Sequence, residues 1–274
     1  MKYIKMNGLG NEFVVLDARR NPFVLTPVQA RKIASPESGV KCDQILILEN
    51  SDKCDVFMRI WNSDGETVSA CGNGTRAVAW LIARENGVNE VSIETEAGEL
   101  LATIIGQLRV SVDMGKPGLD WTQIPMSERM DTIRMELQVG PIDNPILWGP
   151  SAVSMGNPHC VFFVDDAEVA PVVQVGSMIE HHPLFPERAN VGFAQILSRD
   201  HIRLKVWERG AGLTRACGTG ACAAMVAASR RKLIGRHATV TLDGGDLEIT
   251  WRIEDDHVIM IGAVEYEGSG EIRF

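Results

Sequence analysis

No run of lysine or arginine in this chain is longer than three residues, and the formal net charge is −9. The electrostatic footprint of a nucleic-acid binder is therefore missing, and a small-molecule partner is expected instead. Long apolar runs are missing too. The longest, Ala221 to Ala228, is far shorter than the roughly 20 residues that a membrane-spanning helix needs, so no membrane partner is expected. The opening stretch MKYIKMNGLGNEF has no apolar h-region, which leads us to expect a cytoplasmic protein. Six cysteines among 274 residues are too few for a disulfide scaffold. No C-x-x-C pair occurs, and the adjacent His159 and Cys160 are poorly spaced for zinc, so no metal is expected.

Hydrophobic residues make up 45% of the chain, enough for a sizeable core and better suited to two small domains than to one. Two of the cysteines lie in near-copies of one phrase, ACGNGTRA at 70–77 and ACGTGACA at 216–223. Other segments match at the same offset of 146 residues (217 − 71). MRIWNSDGETVSACGNG (58–74) lies over LKVWERGAGLTRACGTG (204–220), so Trp61 falls on Trp207 and Asn62 on Glu208. Gly10 and Asn11 fall on Gly156 and Asn157, and Gln44 falls on Asn190. Four segments in one register imply duplication of an ancestral domain.

Each half has short β-rich runs broken by Gly, Pro, Asn and Asp: EFVVLDA, DQILILE, DVFMRIW, EVSIETE and LRVSVDM, then HCVFFVDD, VGFAQIL, HIRLKVWE, ATVTLD and LEITWRIE. Directly after each glycine-rich phrase comes a segment of helical character, TRAVAWLIARENG and ACAAMVAASRRKLIG, apolar around most of its circumference and so expected to be buried. Asn86-Gly87 stops the first helix, and Arg230, Arg231 and Lys232 suit the negative end of the second. LTPVQARKIAS is expected to form a peripheral helix, while MGKPGLDW (114–121) and GPIDNP (140–145) are the linker candidates.

Three readings of the glycine-rich phrase compete. GNGTRA and GTGACA both fit G-x-G-x-x-A, with Glu94 about twenty residues on, as in a dinucleotide site of an NAD-linked oxidoreductase. Polar NSDGETVS, however, separates the preceding strand from the glycines, and one cofactor would not need two fingerprints. The second reading is structural, with cysteine as a small hydrophobe; it suits Cys42, Cys54, Cys160 and Cys222. The third is chemical. At a helix N-terminus the unpaired N–H groups and the dipole hold an anion and lower a thiol's pKa, so one element makes both a carboxylate site and a thiol base. Two copies facing each other across a cleft would serve a cofactor-free racemase or epimerase, one thiolate taking the α-proton and the opposite thiol delivering another. A thiol redox sensor or ligand-binding module, with Cys71 and Cys217 forming a regulatory disulfide, is the non-enzymatic alternative.

MNGLGNEF, SACGNGTRA, SMGNPH, FPERANVGF, VWERGAG and RACGTGACA together resemble the motifs of the diaminopimelate epimerases, and the resemblance runs essentially end to end. Proline and hydroxyproline racemases share the two-cysteine logic but lack this combination of motifs. The resemblance implies an α+β fold of two pseudo-symmetric domains, each a mixed sheet or barrel around a central helix. It places residues 1–117 with 263–274 in the first domain and 118–262 in the second, and it implies a homodimer. It also implies Cys71 and Cys217 as the acid/base pair, with Gly72, Asn73, Gly218 and Thr219 presenting the helix ends to the substrate's α-carboxylate. Asn11, Gln44, Asn62, Asn157, Asn190, Glu208 and Arg209 would complete the pocket, and His159 and Glu208 would tune the thiols. The substrate would be LL-2,6-diaminopimelate and the product its meso form, with no pyridoxal phosphate or metal, on the route to lysine and peptidoglycan. Two departures from the family pattern stand out: Glu12 where Asp is common, and Lys41-Cys42 before the DQ pair. Cys42, beside a pocket segment, is a candidate for oxidative side chemistry.

Overall fold

The computed structural model describes residues 1–37 and 39–273. It divides into two units, Met1–Asp113 with Ile261–Phe274 and Met114–Met260. The first contains β1 (Lys2–Gly8), β2 (Asn11–Asp17), α1 (Pro27–Ala34), β3 (Gln44–Glu49), β4 (Val56–Asn62), β5 (Thr67–Val68), α2 (Gly72–Asn86), β6 (Glu90–Thr95), β7 (Gly98–Gly106) and β8 (Arg109–Asp113). The second follows with β9 (Gln138–Val139), β10 (Leu147–Trp148), β11 (Ser151–Ser154), β12 (Pro158–Phe163), α3 (Val172–Glu180), β13 (Asn190–Ser198), β14 (His201–Glu208), β15 (Gly212–Thr214), α4 (Gly218–Arg230), β16 (His237–Leu242) and β17 (Gly245–Trp251). After β18 (Val258–Ala263), β19 (Glu265–Glu271) returns to the first unit and pairs antiparallel with β1.

The duplication is written into the strand registers. In the first unit β2 runs parallel to β3 with Phe13 opposite Gln44; in the second β12 runs parallel to β13 with His159 opposite Asn190, each partner displaced by the same 146 residues (159 − 13). The hairpin β4–β5 sets Trp61 opposite Thr67, and β14–β15 sets Trp207 opposite Leu213. β4 then pairs parallel with β6 as β14 does with β16. Each unit is thus a mixed sheet around one helix, the α+β arrangement that the sequence implied.

Both central helices are enclosed. Eleven of the fifteen residues of α2 and eleven of the thirteen of α4 are buried, so neither has a wet face, and small residues let the surrounding strands approach. Gly87 ends α2 in the left-handed conformation, φ 69°, which glycine adopts at no steric cost. α1 starts with a capping box, Thr26 and Gln29 satisfying each other's backbone N–H, and buries only Ala30, Ile33 and Ala34, so it is peripheral.

The sequence reading passed over α3, whose N-cap Pro171 makes no side-chain bond and whose start is valine-rich. Its signal lay in the repeat: shifted by 146 residues, α1 falls on 173–180. The ten β-rich runs likewise leave out β1, β5, β7, β9, β10, β11, β15, β18 and β19. GPIDNP is not a linker but the turn of the hairpin β9–β10, inside the second unit, closed by the Ile146 N–H donating to the Val139 carbonyl at 2.8 Å. Cys160 and Cys222 are fully buried, consistent with small core hydrophobes.

Candidate active site

In the first unit the glycine-rich phrase folds into a helix start because Cys71 is the N-cap of α2. Its backbone is extended (φ −150°, ψ 104°), and its Sγ accepts the Gly74 N–H at 3.2 Å, which satisfies one of the helix's orphan donors with sulfur. Space at 74 is tight: a Cβ there would meet the Leu46 methyls at 3.1 and 3.2 Å. Asn73 is buried, and its Oδ1 accepts from the fully buried Arg76 guanidinium at 2.9 Å. The glycines follow β5, a two-residue antiparallel strand, and not the end of a buried parallel strand, so the dinucleotide reading has no structural basis.

The amides expected to line the pocket gather at neighbouring strand ends. Asn11 pairs with Gly8, whose Cβ position is 3.4 Å from the Asn73 Cβ, so β2 delivers Asn11 beside the start of α2. Gln44 and Asn62 are opposite each other, with Gln44 Nε2 donating to Asn62 Oδ1 at 2.9 Å. Gln44 Oε1 is buried with no hydrogen-bond partner among the described residues, an acceptor open to a donor. Asn11 Nδ2 donates to Asp43 Oδ2 at 3.0 Å, and Asp43 also takes the Glu12 N–H at 2.8 Å. Asp43 was not foreseen, although its place beside Gln44 was a clue. Cys42 is buried and its thiol is pushed up to about 12 by that burial and by Asp43, so it carries almost no thiolate at neutral pH. That low thiolate content weighs against oxidative side chemistry there.

In the second unit Cys217 is the N-cap of α4, with similar backbone angles (φ −132°, ψ 106°) but only 3% exposure. A continuous set of contacts joins it to the other candidates. Its Sγ is 3.7 Å from Thr219 Oγ1, which accepts from Asn157 Nδ2 at 3.5 Å. Asn157 Oδ1 faces His159 Nε2 at 2.9 Å, so Nε2 carries the imidazole proton and Nδ1 the lone pair. Asn190 sits opposite His159 across β12–β13; it donates to the Pro158 carbonyl at 3.3 Å and accepts the Arg209 N–H at 2.9 Å. Glu208 closes the set, hydrogen-bonded by Thr214 Oγ1 across the β14–β15 hairpin. Thr214 had no signal in sequence, since only the hairpin register brings it to Glu208.

The electrostatics run against the simple helix-end argument. Burial and the neighbouring Glu208 carboxylate raise the Cys217 thiol well above its ordinary value, outweighing the Thr219 hydroxyl and Gly220 N–H that pull it down. Glu208 is itself raised by burial. His159 is pushed down to about 3 by complete burial and by Arg209, so it is a neutral imidazole at physiological pH. The duplicated positions therefore differ in charge: unit one has Asn62 and Arg76 where unit two has Glu208 and Cys222. No group of three or more His, Cys, Asp or Glu among the described residues is placed to hold a metal.

Comparison with known proteins agrees with the motifs. A family model described as diaminopimelate epimerase matches residues 3–119 and 151–267. A diaminopimelate epimerase of Caulobacter vibrioides is 55% identical over 282 aligned positions, covering 98% of this chain and 96% of the relative. One of Phenylobacterium zucineum is 55% identical over 270 positions, covering 98% and 97%. Among solved structures, a hydroxyproline epimerase from Agrobacterium vitis superposes with a TM-score of 0.71 at 14% identity over 99% of this chain and 90% of its own, a likeness of fold.

Proposed function

Because this chain belongs to the diaminopimelate epimerase family, we propose that it interconverts LL- and meso-2,6-diaminopimelate by two-base proton transfer between Cys71 and Cys217. The observation that carries the mechanism is that each repeat places its cysteine as the N-cap of a buried helix. A thiolate takes the α-proton and becomes a thiol; the carbon's electron pair then takes the proton of the second thiol from the opposite face, leaving that sulfur as thiolate. Inversion uses two bases because one cannot reach both faces of a bound carbon.

The α-carboxylate binds the helix ends at Gly72, Asn73, Gly218 and Thr219, where N–H groups and dipoles stabilise the charge that develops as the proton leaves. Asn11, Gln44, Asn62, Asn157, Asn190 and Arg209 hold the distal ammonium and carboxylate, which selects a substrate with an amino-acid group at each end. Burial and Glu208 favour the protonated form of Cys217, which makes it the thiol that donates a proton. His159 acts as a neutral group that orients Asn157 and Thr219. Side chains perform both proton transfers, so no cofactor enters the scheme. The enzyme works in the cytoplasm as a homodimer; no helix among the described residues is long and apolar enough to cross a membrane.

Proton NMR of LL-diaminopimelate with the reduced protein in D₂O tests this reading. Loss of the α-proton signal with appearance of the meso isomer is expected, and Cys71→Ala or Cys217→Ala should abolish turnover. Substantial epimerisation by either variant would end the two-base scheme, and exchange with proline in place of diaminopimelate would move the assignment to the proline-type racemases.

A further inference from the structure

Glu180 is the last residue of α3, and its side chain is only 4% exposed. A carboxylate is a poor local choice there, because burial is costly and the helix's C-terminal end is already negative. Its partners explain it. Oε2 accepts the Trp207 indole N–H at 2.8 Å, and Oε1 accepts the Gly210 N–H at 3.0 Å. Trp207 is the residue before Glu208, and Gly210 follows Arg209 at the tip of the β14–β15 hairpin with φ 75°. One carboxylate thus grips the base and the tip of the loop that carries two substrate-pocket candidates. Two further contacts tighten the grip. The Ala189 N–H donates to the Glu180 carbonyl at 3.3 Å, while the next residue, Asn190, accepts the Arg209 N–H at 2.9 Å. The Trp207 ring also lies so close to α3 that a Cβ on Gly176 would come within 2.4 Å of its Cγ.

The duplicated unit shows that this grip is not needed merely to build the hairpin. Position 34, the repeat equivalent of 180, is alanine, and the Trp61 indole N–H has no hydrogen-bond partner among the described residues. The equivalent loop is held by Arg31 Nη1 donating to the Asp64 carbonyl at 2.9 Å. The fold therefore makes this hairpin without a buried carboxylate, and the carboxylate accompanies the copy whose loop bears Glu208 and Arg209.

We propose that Glu180 is a positioning residue for the epimerase reaction, clamping Trp207 and Gly210 so that Glu208 and Arg209 are held where Cys217 and the distal carboxylate require them. The inference rests on the proposed function. Arg188 and His181, on the exposed side, approach Oε1 to 3.8 and 3.9 Å.

Glu180→Gln keeps the volume but turns an NH₂ toward one of two N–H donors, so one clamp bond is lost. Glu180→Asp keeps the charge with a shorter reach. A displaced loop costs on the order of 10- to 100-fold in rate when the reacting groups shift by about 1 Å. Expected for Glu180→Gln are a raised KM and a kcat lowered in that range, a moved Trp207 indole N–H resonance in ¹⁵N NMR, and partial recovery in Glu180→Asp. Trp207→Phe removes the Oε2 bond of the same clamp from the other side, so in the Glu180→Gln/Trp207→Phe double variant the losses should overlap instead of multiplying. Wild-type kcat and KM in Glu180→Gln, with the indole resonance moved, would reduce the clamp to a structural contact and overturn the proposal. Should Glu180→Gln fail to fold, wild-type kinetics in folded Trp207→Phe would overturn it equally. Inactivity of the unmodified enzyme on diaminopimelate would strike the proposed function instead, so the two failures are distinct.

Discussion

Replacing Glu208 with Gln should release the Cys217 thiol from the charge that holds its proton. The carboxylate is in hydrogen-bonding contact with the sulfur and is one of the two causes, after burial, of the thiol's reluctance to ionise. At a separation of about 4 Å and an effective dielectric constant of about 20, unit charges interact by about 4 kcal/mol. That is a ceiling, because Glu208 is itself raised by burial and so carries less than a full charge as pH falls. If only a third of it acts on the sulfur, the thiolate population of Cys217 at fixed pH still rises about tenfold, since about 1.4 kcal/mol is a factor of ten. Glutamine retains the shape and an acceptor for Thr214, so burial of the sulfur is unchanged. The assay is a pH titration of far-ultraviolet thiolate absorbance, taken as the difference between each protein and its Cys217→Ser counterpart. The midpoint should move down in Glu208→Gln by about one pH unit or more. A midpoint that stays put or moves up would refute the assignment of Glu208 as the group holding Cys217 protonated.

Alkaline pH should destabilise the fold through its buried thiols. Cys42, Cys160 and Cys217 are all raised by burial, so the folded state keeps protons that the unfolded chain gives up above about 8.5. The stabilisation is complete below that value and is lost as pH rises, at about 1.4 kcal/mol per pH unit for each thiol. Denaturant titrations across this range should show a flatter pH dependence in Cys160→Ala than in wild type; equal slopes would sink the argument. Acid acts through His159 with the opposite sign of proton binding. Its folded value is depressed to about 3, so the unfolded chain binds the extra proton from about 6.5 downward. Stability is fully present above about 6.5 and is lost toward pH 3, up to roughly 5 kcal/mol, and His159→Gln should remove that part of the acid slope.

Local chemistry made part of this molecule legible. A cysteine before a glycine pair that opens an apolar run is a helix cap, and the cap of α2 is settled within three residues, by Cys71 and Gly74. Gly87, the capping box of α1 and the enclosed character of α2 and α4 are of the same short range. The duplication was legible because the same short phrases recur at one offset, and the strand registers follow that offset. Helix α3 was not legible from its own composition and was visible only as the echo of α1.

What the sequence by itself determined was the pair of capped cysteines, the two like halves and the residue types at the strand ends, because caps, turns and alternation are contacts between near neighbours. Tertiary structure alone decided how those residues behave. Cys71 and Cys217 share a phrase, yet the proton affinity of Cys217 comes from desolvation and from Glu208, which the β14–β15 hairpin brings beside it. His159 is neutral because the β12–β13 pairing buries it against Asn190, and Arg209 lies near through the same asparagine. Glu180 meets Trp207, 27 residues further along the chain, because α3 packs its end against the β14–β15 hairpin. Burial and charge act through space, and a linear pattern carries distances along the chain only.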